Sequence, residues 1–215
     1  MLKIQLFILI CCVFLNDLEA QHNCKENYFN TSKRVEKLKP LYKFMALQSG
    51  DTIASIGAGN GWFEAAASVH QDSLTFYLED LTGECFENMA LEKTLAVYSK
   101  IKNRRIDNRF ITNIGTDSST MLPSKMFKKV LINNVFHHFS KKKQMLEDIK
   151  RITQTGAFIY VFEPIIFPNE TKKFKCAYYT STTTLIEAFE NAGFKYVSNY
   201  EFHNGSYFFK FVNKE

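Results

Sequence analysis

A glycine-rich segment at residues 57–61 (GAGNG) is the feature that most constrains how this chain of 215 residues folds. It follows a short apolar run at residues 52–56, typical of a buried strand, and precedes the Ala-rich residues 62–69, typical of a helix. Because glycine lacks a Cβ, such a turn lets the backbone approach a ligand closely, and the first amides of the helix face that ligand. The sequence therefore predicts a strand–turn–helix unit with a ligand site at the turn.

Strand and helix patterns alternate through the rest of the chain. The predicted strands after the turn are residues 74–78, 109–114, 129–133, 157–162, 194–201 and 206–212, and the predicted helices are residues 31–47, 83–102, 141–153 and 181–192. Alternation indicates a parallel sheet with helices on both faces. The Asn-Gly between the last two strands indicates a hairpin. We therefore expect one α/β domain, a Rossmann-like three-layer sandwich with a seven-stranded, mostly parallel sheet and an antiparallel C-terminal hairpin.

The first twenty residues are typical of a secretory signal peptide. Lys3 precedes an apolar stretch at residues 4–15, and residues 18–20 (LEA) offer a cleavage point after Ala20. Twelve helical residues reach about 18 Å, too short for a hydrocarbon core of about 30 Å. An uncleaved anchor or a buried first helix are the alternatives. We expect an exported protein, periplasmic or secreted, with residues 21–215 forming the domain and no stable membrane span after cleavage.

Charge and cysteine content narrow the function classes. Cleavage after Ala20 would change the formal charge only from +5 to +6, and the basic residues are scattered, so no nucleic-acid partner is expected. Cleavage would also leave Cys24, Cys85 and Cys176, which permit at most one internal disulfide. A Cys24–Cys176 bond is one option, and the sequence leaves the pairing open. An apolar content of 46% is enough for a packed core and excludes a disordered chain.

Two carboxylates make the predicted ligand of the glycine turn more specific. Glu79 and Asp80 end the next predicted strand, about 20 residues after the turn, where a carboxylate accepts hydrogen bonds from both hydroxyls of a ribose. A dinucleotide site uses Gly-x-Gly-x-x-Gly, but here Trp62 stands where the last glycine would be. The Gly-x-Gly-x-Gly pattern favours an adenosine without a diphosphate, and it disfavours a dinucleotide-dependent oxidoreductase.

Together these segments resemble the class I S-adenosylmethionine-dependent methyltransferases, in particular the small type-11 methyltransferases. The similarity extends over residues 45–195, and its motifs are residues 55–61, 79–81, 115–118, 122–123, 133–139, 155–164 and 182–194. The resemblance implies S-adenosyl-L-methionine as the cofactor and a small-molecule acceptor, and no metal site is expected. The predicted helix at 31–47 and the loop at 165–180 would then cover the site.

The resemblance also implies which residues do the work. The expected cofactor-binding residues are Ser55, Gly57, Ala58, Gly59, Asn60, Gly61, Glu79, Asp80, Leu81, Asp117, Ser118, Asn133, Asn134 and Val135. Among them, Asp80 or Glu79 would hold the ribose and Asp117 the adenine amino group. Methyl transfer needs a base when the acceptor carries an acidic proton, and the candidates are His137, His138 and Glu163.

Three departures from the family pattern keep a second hypothesis open. Ser55 replaces an acidic residue that helps order the glycine turn, which should weaken cofactor binding. Lys128 replaces the usual Asp before the fourth strand. Export would also take the chain away from the cytosol, where the cofactor is made. The alternative is therefore an exported cofactor-binding pseudo-enzyme without transfer activity, and the acceptor and the oligomeric state stay open.

Overall fold

The computed structural model describes residues 31–87, 89–165, 180–203 and 205–214. The expected signal peptide at 1–20, most of the loop at 165–180, and Cys24 and Cys176 lie outside these ranges. None of the helices in the described ranges has the length and apolar character needed to cross a membrane. The same ranges contain no cluster of three or more His, Cys, Asp or Glu side chains that could hold a metal ion.

Seven strands form one sheet in the described chain. They are β1 (Thr52–Ile56), β2 (Thr75–Asp80), β3 (Arg109–Ile114), β4 (Phe127–Asn133), β5 (Thr153–Pro164), β6 (Phe194–His203) and β7 (Ser206–Asn213). Their order is β3-β2-β1-β4-β5-β7-β6. The pairs among β1 to β5 are parallel, whereas β7 is antiparallel to both β5 and β6. The expected sheet with its antiparallel C-terminal hairpin is confirmed.

Helices cover both faces of this sheet, as the alternating pattern indicates. They are α1 (Thr31–Phe44), α2 (Trp62–His70), α3 (Ala90–Lys102), α4 (Lys142–Ile152) and α5 (Thr182–Asn191). Val35, Phe63 and Tyr98 of the first three helices pack in one buried cluster with Leu78 and Leu131 of the sheet. A second cluster joins α4 and α5 to the opposite face through residues such as Met145, Leu185 and Ile132. Successive strand residues point to opposite faces, which explains why Leu131 and Ile132 belong to different clusters.

One local expectation is wrong. The helix predicted over 83–102 is broken: a short 3-10 turn at Gly83–Cys85 is followed by α3, which begins only at Ala90. Met89, just before α3, has a φ of 57°, a left-handed conformation that a continuous helix does not contain. Helix α1 contains Pro40 within its length.

Cys85 is one of the cysteines that form a disulfide bond. It is buried and forms a disulfide bond, with a partner outside the described residues. Thr82 lies next to it, with its Oγ1 4.0 Å from the Cys85 sulfur. The disulfide therefore holds the loop that directly follows β2 and its two terminal carboxylates.

Candidate functional site

The glycine turn lies at the carboxyl edge of the sheet, between β1 and α2. Gly57, Gly59 and Gly61 all have positive φ angles, of 65°, 55° and 71°. A Cβ on Gly57 would come within 2.7 Å of the Val135 side chain, and one on Gly61 within 2.9 Å of Leu91. A Cβ on Gly59 would meet nothing within 4 Å. The outer glycines are thus packed against the protein, whereas the backbone at Gly59 is open to an approaching ligand.

The two carboxylates of β2 reach the turn from the neighbouring strand. Asp80 Oδ2 accepts a hydrogen bond from the Gly59 amide at 3.0 Å, and its Oδ1 accepts one from Thr82 N at 3.3 Å. Glu79 Oε2 lies 3.4 Å from the Gly57 amide. Asp80 is partly exposed, but Glu79 is buried beneath the turn. Of the two candidates for the ribose, Asp80 is therefore the one that a ligand can reach directly.

Burial changes the chemistry of Glu79. Loss of hydration raises the pKa of its carboxyl to about 8, and the nearby Asp80 and Asp148 carboxylates act in the same direction. The Gly57 amide opposes this rise but does not overcome it. Glu79 also lies against the backbone of Gly115, where an added Cβ would fall 1.8 Å from its Oε1. The glycine after β3 is therefore required by the close approach of this carboxyl.

Three predicted binding residues contain buried acceptor atoms without a hydrogen-bond partner in the described part of the chain. They are Asn60 Oδ1, Glu79 Oε1 and Asn133 Oδ1. These residues stand at the glycine turn and at the ends of β2 and β4, respectively. Buried polar atoms in folded proteins are rarely left unpaired, so such a group indicates a ligand or ordered water at the site. The Asn60 and Asn133 oxygens are acceptors, and they match a ligand that donates hydrogen bonds, as hydroxyl and ammonium groups do.

The loop after β3 is held by an acidic residue that the sequence did not single out. Asp148 of α4 accepts hydrogen bonds from Thr120 N at 2.8 Å and from Ser119 Oγ at 3.1 Å. Asp117 in the same loop is exposed and forms an ion pair with Lys141 at 2.9 Å, which lowers the pKa of its carboxyl. Asp117 thus lies at the rim of the site with a cation already beside it, and Ser118 follows it on the surface.

Large apolar side chains are exposed at the same end of β2 and β3. They are Leu81, Ile114 and Met121, and only Leu81 was predicted as a site residue. Ile114 is paired with Asp80 in the sheet, and Met121 follows Thr120, whose carbonyl accepts a hydrogen bond from Asn113. Ile114 could have been identified as a site residue from the sequence, because it is an apolar residue at the last position of a predicted strand. Together they offer an apolar rim beside the carboxylates.

The three candidate bases come together at the ends of β4 and β5. Glu163 Oε2 lies 2.6 Å from His137 Nδ1, and Glu163 Oε1 accepts a hydrogen bond from the Phe136 amide at 2.6 Å. Both side chains are buried. The His138 ring is exposed, and its centroid lies 3.9 Å from that of His137. Partial burial, together with His137 and Lys142, lowers the pKa of His138, which keeps the ring neutral near pH 7.

The remaining predicted residues flank this arrangement. Val135 packs on Gly57, and Ala58 donates a backbone hydrogen bond to the Glu79 carbonyl at 2.9 Å. Asn134 is exposed with a φ of 56°, and its amide is bonded to the Phe162 carbonyl. Ser55 is buried under the turn, where its hydroxyl donates to Glu64 of α2. Sequence reasoning missed Glu64, because an acidic residue on an Ala-rich helix carries no signal of its own.

The strand order, the glycine turn and the acidic end of β2 together define the class I S-adenosylmethionine-dependent methyltransferase fold. Solved structures with this fold superpose on the chain. A methyltransferase from Aquifex aeolicus has 17% identity and a TM-score of 0.67, covering 88% of this chain and 100% of its own. A putative O-methyltransferase from Nostoc punctiforme has 16% identity and a TM-score of 0.63, covering 85% of this chain and 60% of its own.

A third similar structure contains the cofactor. It is phosphoethanolamine N-methyltransferase 2 from Haemonchus contortus in complex with S-adenosyl-L-methionine, with 13% identity, a TM-score of 0.61, and coverage of 84% of this chain and 52% of its own. No protein-family model matches the chain. No curated protein matches it either. At these identities the likeness shows the fold.

Proposed function

We propose that this protein is an S-adenosylmethionine-dependent methyltransferase that acts on a small-molecule acceptor. The observation that carries the proposal is the pair of unpartnered buried acceptors on Asn60 and Asn133 beside an open glycine turn, in the part of the chain that the structure describes. The cofactor offers ribose hydroxyls and an ammonium group, which are the donors that these oxygens require. The fold supports the same assignment, since ligands of such sheets bind at the carboxyl ends of the strands.

Each part of the cofactor has residues of suitable chemistry. Asp80 would hold the ribose hydroxyls, since its carboxylate is partly exposed and already oriented by the Gly59 and Thr82 amides. Asn60 and Asn133 would serve the methionine end. Leu81 and Ile114 would contact the faces of the adenine, with Asp117 near its amino group. The residues present therefore fit the group.

Bound at this site, S-adenosylmethionine would supply an electrophilic methyl group on its sulfonium. His138 is the base in this proposal, because its ring is exposed and its lowered pKa leaves it neutral and able to take the acceptor's proton. Glu163 fixes the proton of His137 on Nδ1, and His137 in turn orders the His138 ring, which lies tilted against it. Holding the acceptor in line with the methyl carbon would provide most of the rate.

We also propose that the protein acts outside the cytosol. The expected leader at residues 1–20 motivates this proposal, and the disulfide at Cys85 supports it, because structural disulfides persist in oxidising compartments. Mass spectrometry of the protein from its natural source, alkylated before lysis, would test it. Finding Cys85 fully alkylated, or residues 1–20 retained in the soluble cytosolic fraction, would overturn the proposal.

Isothermal titration calorimetry tests the cofactor assignment directly. The protein should bind S-adenosylhomocysteine and S-adenosylmethionine and should not bind NAD. Asp80→Ala should weaken S-adenosylhomocysteine binding about tenfold or more, because a charge-assisted pair of hydrogen bonds is lost. Asp107→Ala is the matched control. This exposed carboxylate lies just before the first residue of β3, at the edge of the sheet opposite the glycine turn. Absence of binding of either sulfur nucleoside at millimolar concentration would refute the proposal.

A further inference from the structure

Ser55 and Glu64 form a buried contact that bridges the two ends of the glycine turn. Ser55 is the next-to-last residue of β1, and Glu64 lies in the first turn of α2. The Ser55 hydroxyl donates a hydrogen bond to Glu64 Oε1 at 2.5 Å, and both residues are at most 1% exposed. The contact therefore joins the strand that enters the turn to the helix that leaves it.

Glu64 has binding capacity beyond this contact. Its Oε2 is buried and has no hydrogen-bond partner in the described part of the chain. Burial raises the pKa of the carboxyl to about 7, against the smaller opposing effect of the Ser55 hydroxyl. An apolar residue at this position would avoid the cost of burying such a group, and the neighbouring Ala65 and Ala66 show that the helix accepts small apolar side chains here.

Glu64 places a carboxyl group beside position 55, where the chain has serine and not an acidic residue. We propose that Glu64 is a positioning residue that supplies, from α2, the buried carboxyl group that orders the glycine turn in place of an acid at position 55. The small Ser55 side chain leaves space for it and ties it to β1. At the start of α2 the carboxyl also faces the positive end of the helix dipole. This inference rests on the proposed nucleoside site for its functional consequence only.

Moving the carboxyl group from position 64 to position 55 by substitution provides the sharpest test. Ser55→Asp alone would put two carboxyls in contact in the core, so the melting temperature should fall by several degrees. Glu64→Ala should increase amide hydrogen exchange at residues 57–61 and weaken S-adenosylhomocysteine binding about tenfold. The double variant, Ser55→Asp with Glu64→Ala, returns one carboxyl to the site and should restore both properties towards wild type.

Controls separate positioning from general stability. Ser68→Ala removes a buried hydroxyl one turn along the same helix and should leave exchange in the turn unchanged. Exchange in α4, on the opposite face of the sheet, reports global stability, so the change at residues 57–61 in Glu64→Ala should exceed any change in α4. Glu64→Gln keeps the Ser55 contact, and at about pH 8.5, above the pKa of Glu64, it should lose affinity because the charge is gone.

The outcomes are distinct. If Glu64→Ala leaves exchange in the turn as in wild type, or if the double variant is no better than Glu64→Ala, the inference is overturned. If the wild type binds no sulfur nucleoside but exchange in the turn still responds and is rescued, the proposed function fails and the positioning role stands.

Discussion

The Glu79 carboxyl should make the folded protein less stable as the pH rises. The group is buried, with a single donor, the Gly57 amide, 3.4 Å from Oε2 and no partner for Oε1 in the described residues. Its pKa is raised from 4.5 to about 8, chiefly by burial. Between these two values the folded protein holds a proton on Glu79 that the unfolded chain has released. The free energy of unfolding therefore falls with increasing pH in this window.

The size of the effect follows from the pKa shift. Each pKa unit corresponds to about 1.4 kcal/mol, so a shift from 4.5 to about 8 is equivalent to about 5 kcal/mol over the full window. That is a large part of the free energy of unfolding of an ordinary domain, which is about 5–15 kcal/mol. Glu64, with a pKa of about 7, acts in the same direction. Asp148, whose pKa is lowered, loses its contribution only in more acidic solution, so it does not mask the trend.

Urea unfolding of the wild type and Glu79→Gln at about pH 5.5, 7 and 8.5 measures this contribution. The wild type should lose several kcal/mol across the series, whereas Glu79→Gln should lose markedly less because the Glu79 contribution is gone. Glu64 still lowers stability with rising pH in both proteins, and the lowered pKa of His138 acts in the opposite direction in both. Glu84→Gln, an exposed substitution in the following loop, is the control and should follow the wild type. Equal pH slopes for the wild type and Glu79→Gln, or a wild type that gains stability towards pH 8.5, would refute the reasoning.

Three further predictions concern other parts of the site. Glu163→Gln should lower the methyl-transfer rate at least tenfold and leave S-adenosylhomocysteine affinity within about twofold, as kinetics and calorimetry on one preparation would show. Gly61→Ala should cost about 2 kcal/mol or more in urea unfolding, since φ is 71° and the Cβ would lie 2.9 Å from Leu91. Gly50→Ala, with φ 89° and an open site, should cost less. Cys85→Ser should lower the unfolding free energy by about 2–4 kcal/mol, and reductant should do the same to the wild type but not to the variant.

The fold was predictable because its signals are local. The turn at 57–61 and the alternating apolar runs specify strand, turn and helix over short stretches of chain, and the hairpin follows from Asn-Gly at the end. The break at Met89 was not predictable, because residues 83–102 have helical periodicity throughout. The disulfide at Cys85 involves a residue outside the described ranges, and a single sequence does not show such a pairing.

Some residues of the candidate site could likewise be identified from local sequence, and others could not. The position of Glu79 and Asp80 at the end of β2 was predictable because an apolar run followed by carboxylates marks the end of a strand. Asp148 and Glu64 were missed because each acts across a distance in the sequence, on Thr120 and Ser55 respectively. Ser55 shows the consequence most clearly. Considered alone, its lack of a carboxylate led us to expect weaker cofactor binding, whereas the fold brings the buried Glu64 carboxyl into contact with Ser55 from the neighbouring helix.

The buried pair of Glu163 and His137 bears on the choice between an enzyme and a pseudo-enzyme. A domain that only binds the nucleoside needs the glycine turn and the carboxylates of β2, whereas this pair lies at the ends of β4 and β5. Glu163 is 0% exposed, and burying an ionisable group is costly unless its partners compensate for lost hydration. Here Phe136 N and His137 Nδ1 supply those partners, and the ring they fix lies against the exposed, neutral His138. In the proposed function this arrangement would serve proton transfer from the acceptor, a task that a domain binding only the nucleoside does not have.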